Sequence, residues 1–516
     1  MKKLIIIGAA LLVAACATNS NEKKTCAEDK AEVTLDLSKA QYVIPDEIYG
    51  QFAEHLGSCI YGGIWVGPDS NIPNTNGYRN DVLNALKALR PPVVRWPGGC
   101  FADYYHWQDG IGPRKERPRM VNSSWGGTVE DNSFGTHEFL DFCELIGCEP
   151  YISGNVGSGS PSEMSNWVEY MTAENGKWAD QRKKNGREKP WKVKYLGVGN
   201  ESWGCGGAMT PEYYTNLYRQ FGEYCRDLHG NHLYKVASGA SDYDYNWTEV
   251  LMGGIGKRMS GISLHYYSVI NWNSKGKALQ FEPKDYLVTM GKAMGVEPVI
   301  KKHIEIMDKF DPEGKIDLLL DEWGTWWEVE EGTNPGHLFQ QNTMRDALVA
   351  AASLNIFHQY TRRLKMTNIA QMVNVLQAMI LTKGPDMLLT PTYHVFNMYN
   401  AHRGNKNIPV EVASYELAPA QGDWAEVPTI SASASVAEDG STVISLANLS
   451  PDKAVEVCLN GLGSAKIVEG TLLAAESLAA HNTFESPETV VPEAFKAYKD
   501  NVVTIPEHSI VTLKAK

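Results

Sequence analysis

Two glutamates stand out for their surroundings. The apolar run Val193–Val198 leads into Gly199, Asn200, Glu201, Ser202 and Trp203, and the run Ile316–Leu320 leads into Asp321, Glu322, Trp323, Gly324, Thr325 and Trp326. Each run has the length of a strand and delivers a carboxyl at its end, beside tryptophan. Neither dipeptide is informative alone, since Asn21-Glu22 and Asp46-Glu47 also occur, and an isolated Glu in a loop is ordinarily a solvated surface residue. The matching strand-end context changes the balance. Two convergent carboxyls in unlike environments, one kept protonated and the other ionised, are what cleavage of a glycosidic bond demands. Motifs of other chemistries are missing: there is no G-x-S-x-G elbow, no phosphate-binding G-x-x-x-x-G-K-[ST] loop, no G-x-G-x-x-G and no H-E-x-x-H. The nine cysteines include no C-x-x-C pair, which argues against a zinc ribbon or a thioredoxin-like site.

Such a pair needs a scaffold that brings distant strand ends together. From about residue 46 to 400 short apolar runs alternate with amphipathic stretches: Ile48–Phe52, Pro92–Trp96, Glu149–Ser153, Val193–Val198, Leu233–Ser238, Gly261–His265, Ile316–Leu320 and Ile369–Leu376. Between them Gly77–Leu89, Thr136–Ile146, Pro211–His229, Pro298–Phe310 and Thr343–Tyr360 carry helical periodicity. This alternation predicts βα units around a parallel sheet buried on both faces. Eight units fit an α/β (β/α)8 TIM barrel with enlarged loops, whose catalytic groups sit at the C-terminal strand ends; an open, doubly wound sheet is the alternative. After Gly404 the texture changes to short alternating runs, among them Thr429–Val436, Thr442–Ala447 and Ser509–Lys514, the pattern of a C-terminal antiparallel β-sandwich. Glu32–Leu37 alternates too and is expected to join that sandwich, since a lone strand has nowhere to bury its apolar face. The charged segment Gln181–Lys194 reads as a solvated loop.

The chain has 516 residues, a net charge of −13, 43% hydrophobic and 21% charged residues, enough apolar material for a large core. An acidic balance without a basic stripe argues against nucleic acid as a partner. Lys2 and Lys3 precede the apolar run Leu4–Val13 and then Ala14, Ala15 and Cys16. The run is too short to span a bilayer, which takes about 20 residues, and it reads as an export signal with a lipidation site at Cys16; an ordinary signal peptide is the alternative. The expected organisation is therefore residues 1–15 signal, 16–31 polar tether, 32–45 N-terminal sandwich strand, 46–400 catalytic barrel and 401–516 sandwich, in an exported, lipid-anchored protein of the periplasm or outer membrane. Cys59, Cys100 and Cys205 all follow strand ends on the catalytic face; a disulfide among them is an alternative in an exported protein, but three free thiols are the default, because sequence does not supply the Cα separation a disulfide requires.

Tyr49-Gly50-Gln51-Phe52-Ala53-Glu54-His55, Arg95-Trp96-Pro97-Gly98-Gly99, Trp107-x-Asp109-Gly110-x-Gly112-Pro113, Gly135-Thr136-x-Glu138-Phe139, Gly199-Asn200-Glu201 and Asp321-Glu322-Trp323 together resemble glycoside hydrolase family 51, dominated by α-L-arabinofuranosidases. The resemblance runs in order over roughly residues 32 to 515. It implies a retaining enzyme that needs neither metal nor organic cofactor and often forms homo-oligomers. It also implies Glu201 as acid/base, Glu322 as nucleophile, Asn200 on the sugar 2-hydroxyl and Glu54 on other hydroxyls. His265 and Tyr267 would orient the nucleophile, and Trp125 and Gln371 would line the subsite. Cys100 departs from the pattern, since many members carry Asn there as a sugar contact and a thiol is a poor hydrogen-bond partner. The expected substrates are arabinose-containing plant polysaccharides or oligosaccharides, trimmed from the non-reducing end. An endo-glucanase, a β-xylosidase and a catalytically inactive glycan-binding lipoprotein are the alternatives.

Overall fold

The computed structural model describes residues 26–516; the expected signal and Cys16 lie outside the described residues. Eight parallel strands close into a barrel: β1 (Gly50–Phe52), β2 (Val93–Trp96), β3 (Glu149–Gly154), β4 (Tyr195–Val198), β5 (Tyr234–Ser241), β6 (Gly261–Ser268), β7 (Asp317–Thr325) and β8 (Leu364–Ala370), with β8 pairing back onto β1. Closure leaves the sheet without edges, so the open doubly wound arrangement does not apply. Strands covered on both faces must be apolar throughout, and every residue of β2 and β4 is buried. Val93, Tyr151, Tyr195, Val236, Leu319 and Met366, from six different strands, pack into one cluster inside the barrel. It forms a floor on which the later residues of the same strands stand.

The helices that face the barrel are built by ordinary local rules. Pro211–Tyr224 begins with Pro211, whose missing N–H is not needed in a first turn, and the Thr210 hydroxyl accepts from the Tyr213 N–H at 3.3 Å. Tyr214, Tyr218 and Phe221 then line one buried face. Val296–Phe310 does the same with Val299, Ile300, His303, Ile304 and Met307. No helix among the described residues is long and apolar enough to cross a membrane.

Two segments differ from the pattern reading. The last barrel strand is Leu364–Ala370, earlier than the run Ile369–Leu376. Lys365, Thr367 and Asn368 break its apolar pattern, yet Thr367 and Asn368 are buried, and the Thr367 hydroxyl donates to the Ile48 carbonyl at 2.6 Å. The apolar residues Met372, Val373, Val375 and Leu376 belong to a buried loop instead. Within Gln181–Lys194, the first residues complete a helix, Lys177–Lys184, held by the buried Arg182, which donates to the carbonyls of Tyr170 (2.8 Å) and Ala173 (2.7 Å).

Beyond the barrel two sheets face each other. Lys30–Leu35 lies inside one of them, antiparallel to Val410–Ser414 and parallel to Val455–Asn460. Ile430–Val436, Thr442–Asn448, Ser509–Ala515 and Ile467–Ala474 form the heart of the other, and Val33, Leu35, Ile444, Leu446, Val457 and Leu513 fill the space between. The parallel pair interrupts an otherwise antiparallel pattern, because the N-terminal strand enters the sheet without a hairpin to reverse it. Buried histidines join barrel to sandwich: His358 meets Ser433 at 3.0 Å, and His402 meets Ser435 and Ser445, both at 2.8 Å.

Candidate active site

Successive residues of a strand normally point to opposite faces. In β7 the pairing register with β8 shifts between Leu320 and Trp323. Such an irregularity re-aims side chains, and here both Asp321 and Glu322 contact groups of the barrel interior. Arg95, at the end of β2, binds them together. Its Nη1 donates to Glu322 Oε1 at 2.8 Å and to the Asp321 carbonyl at 3.3 Å, its Nη2 donates to Asn200 Oδ1 at 2.5 Å, and its Nε lies 3.7 Å from Asp321 Oδ2. Burial works against the Arg95 charge, and Asp321 and Glu322 more than restore it, so the guanidinium is held well above its ordinary value. Tyr151 donates to Asp321 Oδ2 at 2.7 Å. Asp321 is held below the usual carboxylate range: burial opposes this, but the charges of Arg95 and His265 outweigh it. The other oxygen of Glu322, Oε2, accepts from the Tyr267 hydroxyl at 2.8 Å.

Glu201 arrives from the opposite side. After β4 the chain turns through Gly199 (φ 91°) and Glu201 (φ 39°), both in the left-handed region, which aims Asn200 and Glu201 into the same space. His265 in β6 then connects the two glutamates. Its Nδ1 lies 2.9 Å from Glu201 Oε1 and 3.5 Å from Glu322 Oε2, and its Nε2 lies 3.1 Å from Asp321 Oδ1. Burial would lower the imidazole, but Glu322, Asp321 and Glu201 raise it to about 10, so it is a cation over the whole neutral range. Oxygens of Glu201 and Glu322 and a His265 nitrogen all lie within 4.8 Å of one another. The imidazole thus sits between the carboxylates of Glu201, Glu322 and Asp321 and links them.

Glu54, following β1, closes a third side. Its Oε1 accepts from the Gly99 and Phe101 N–H groups (3.0 and 3.1 Å) and from Trp125 Nε1 (2.9 Å), and its Oε2 accepts from Gln371 Nε2 (3.0 Å). Burial first, and the Glu322 charge second, push its carboxyl up to about 7. Gly99 is required at this junction: a Cβ there would stand 2.8 Å from Glu322 Oε1. The structure thus brings Glu54, Trp125, Asn200, Glu201, His265, Tyr267, Glu322 and Gln371 into one site, each in the C-terminal half of its strand, after that strand, or in a loop packed over it.

The thiols differ from expectation. Cys100 and Cys205 are joined in a disulfide with Cα atoms 5.4 Å apart, so Cys100 presents no thiol to a ligand. The sequence separation of 105 that hid this pairing is spanned by the barrel, which sets the ends of β2 and β4 close together. Cys59 remains a buried thiol, pushed up to about 12 by burial. Arg95 and Asp321 are site residues that the sequence reading did not single out, although both stand inside the motifs quoted for the family. Trp272 and Trp326 are two more: they pack edge-on at 5.6 Å beside Tyr267 at the rim of the site.

Known proteins place this arrangement. The family model described as "Alpha-L-arabinofuranosidase 1 domain" matches residues 85–278, and "Alpha-L-arabinofuranosidase C-terminal domain" matches residues 321–509. An "Intracellular exo-alpha-L-arabinofuranosidase" of Bacteroides ovatus is 56% identical over 521 residues, covering 100% of both chains. A probable alpha-L-arabinofuranosidase C of Aspergillus flavus is 32% identical over 95% of this chain and 98% of its own. Among solved structures, the GH51 arabinofuranosidase of Xanthomonas axonopodis pv. citri superposes with a TM-score of 0.91 at 47% identity, covering 94% of this chain and 100% of that one. The alpha-L-arabinofuranosidase of Thermotoga maritima, in complex with arabinose, has a TM-score of 0.81 at 29% identity, covering 94% and 99%. The Bacteroides relative, aligned along the whole length and named intracellular, overturns the expectation of an exported protein held at a membrane through Cys16. A short apolar run behind two lysines is too common a pattern to specify export. Fold, motifs and relatives converge: the chain belongs to glycoside hydrolase family 51 and is an α-L-arabinofuranosidase.

Proposed function

We propose that the protein is a retaining, exo-acting α-L-arabinofuranosidase that removes terminal non-reducing arabinofuranosyl groups from arabinan, arabinoxylan or their fragments, with Glu322 as nucleophile and Glu201 as acid/base. The observation that carries this reading is the separation of the two carboxylates. Their oxygens approach within 4.8 Å, which suits the spacing of about 5–5.5 Å typical of retaining pairs and leaves no room for the water an inverting enzyme places between them.

The surroundings divide the labour. Arg95 and Tyr267 each donate to one oxygen of Glu322, which holds the carboxylate in place to attack the anomeric carbon. As that bond forms, the bond from the anomeric carbon to the leaving oxygen breaks, and Glu201 passes its proton to that oxygen. Glu201 then takes a proton from water, which displaces Glu322 and releases arabinose with its configuration kept. The His265 cation, between the two, stabilises whichever carboxylate is charged at each stage. Asn200, fixed by Arg95, is placed to bond the sugar 2-hydroxyl, and Glu54 to bond hydroxyls further round the ring. Exo action is supported by the name of the Bacteroides relative, an exo-alpha-L-arabinofuranosidase. A cavity of about 400 Å³ bordered by Tyr267 and Trp272 offers space for the remainder of the substrate. An intracellular location, as named for the Bacteroides relative, suits an enzyme acting on imported oligosaccharides.

Proton NMR of an aryl α-L-arabinofuranoside during hydrolysis tests the mechanism. The first-formed arabinose is expected as the α anomer, and Glu322→Ala to lose activity by about 10⁴-fold or more. A β anomer, or longer fragments as the first products from linear arabinan, would overturn the reading.

A further inference from the structure

The Cys100–Cys205 bond lies against the oxygen that has to carry the catalytic proton. Glu201 Oε1 is engaged by His265 at 2.9 Å. Its Oε2 has sulfur beside it: Cys205 Sγ at 3.4 Å and Cys100 Sγ at 4.0 Å. The Asn200 amide also points at Cys205 Sγ, at 3.9 Å. A disulfide sulfur has no proton to donate and carries no charge, so it fills this side of Glu201 without competing for the oxygen.

The bond also holds the backbone. Glu201 sits at φ 39°, a conformation L-residues adopt at some expense. The N–H groups of Gly204 and Gly206 turn back onto its carbonyl at 2.7 and 3.1 Å. Cys205 lies within this turn, and Cys100 opens the helical turn Cys100–Asp103 after β2. Asp103, buried beneath both, accepts from the Val156 and Gly157 N–H groups at 2.9 and 2.7 Å and fixes the Cys100 side of the clasp. Gly206 allows no side chain, since a Cβ would stand 1.8 Å from the Asn200 carbonyl.

We propose that this disulfide is a positioning element for Glu201 and that its redox state sets how well the leaving group is protonated. This rests on Glu201 being the acid/base. Reduction by a dithiol transfers two electrons and two protons to the sulfurs; the S–S bond breaks, two thiols form, and the dithiol becomes a disulfide. Two S–H donors then face Glu201 Oε2, where they favour the carboxylate over the acid, and the turn loses its covalent tie to the loop after β2. In a compartment that keeps thiols reduced, the reverse exchange, in which an oxidising disulfide takes up the two electrons and two protons and becomes a dithiol, raises activity.

The test compares two substrates before and after treatment of the intact enzyme with dithiothreitol: phenyl α-L-arabinofuranoside, whose phenol needs a proton to leave, and the 2,4-dinitrophenyl analogue, whose phenolate leaves unaided. Alkylation and mass spectrometry of the peptides holding Cys100 and Cys205 report the bond, and circular dichroism reports the fold. On reduction kcat/KM for the phenyl substrate is expected to fall about tenfold or more and that for the dinitrophenyl substrate to change less than about twofold. Cys100→Ser/Cys205→Ser should match the reduced enzyme and ignore dithiothreitol. Equal losses on both substrates, or no loss with both thiols alkylated, overturn the proposal; because wild-type reduction needs no mutation, it stands or falls even if the double variant misfolds. Glu201→Gln separates the two readings. If it shows no bias against the phenyl substrate, the acid/base assignment fails; if it shows the bias and reduction does not, only the disulfide proposal fails.

Discussion

Replacing Glu54 with glutamine is expected to stabilise the folded protein at pH 8 while impairing catalysis. Glu54 is 2% exposed, and burial together with the Glu322 charge raises its carboxyl from 4.5 to about 7. The folded protein therefore holds this proton more tightly than the unfolded chain. The resulting stability is fully present below pH 4.5 and is lost as the pH rises through about 7. A shift from 4.5 to about 7 is about 2.5 units, which at 1.36 kcal/mol each comes to about 3 kcal/mol. A glutamine side chain has no charge to acquire and escapes this loss. The hydrogen bonds of Glu54 can be kept: the amide oxygen in place of Oε1 accepts the same three donors, and the amide NH2 in place of Oε2 faces Gln371, whose own Oε1 is buried without a partner and becomes an acceptor if that amide turns over. With an unfolding entropy of about 2.1 cal/mol/K per residue over 516 residues, about 3 kcal/mol corresponds to about 3 °C in Tm. Thermal melts from pH 5 to 8.5 should show the wild type losing ground to Glu54→Gln across this window. Glu322→Gln, which removes the second cause of the shift, should move the window to lower pH. Parallel curves for wild type and Glu54→Gln, or a variant that melts lower at pH 8, would refute the reasoning.

Arg95→Met should strip Glu322, Asp321 and Asn200 of their shared donor and, as the loss of one partner from a buried ion pair, lower stability by about 3–5 kcal/mol in urea titrations; a loss below about 1 kcal/mol would mean the cluster is not buried as described. His265, raised to about 10, should show no imidazole titration by NMR between pH 5 and 8. Its stabilising contribution, fully present below 6.5, should fade as the pH approaches 10 in the wild type and be absent from His265→Gln, whose kcat should fall about 100-fold. Val33→Asp, at a fully buried position of Lys30–Leu35, should cost several kcal/mol and expose dye-binding apolar surface between the two sandwich sheets.

Much of this architecture is legible because its physics is periodic. A strand buried on both faces has to be apolar, so β2, β4 and the start of β7 announce themselves, and the glutamates that follow are conspicuous for breaking the pattern. What stays hidden is whatever depends on contacts between distant segments. Asp321 and Glu322 are neighbours that strict alternation would send to opposite faces, and only the register shift beside Leu320 lets both reach the interior. Arg95 stands in a run read as a strand buried on both faces, but its three polar partners become visible only once the barrel places them around it. The strand β8 escapes a hydropathy reading because its Thr367 and Asn368 are polar yet buried, while the apolar residues after it belong to a loop. The Cys100–Cys205 pair needs the closed barrel before its ends can meet.

The position of Lys30–Leu35 bears on synthesis. Lys30 pairs with Glu456, 426 residues away. At about 5–20 residues per second the ribosome takes roughly 20 to 85 seconds to supply that partner. For most of that time, until Val410–Ser414 has been made, a nascent strand with Ala31, Val33 and Leu35 on one side has no sheet to enter. The barrel can close first, but the sandwich has to wait for Ser509–Ala515, so a late folding event packs an early strand's sheet against the last strand made. Chaperone demand, and the hazard of pairing with another copy's unfilled edge, should be greatest in that interval.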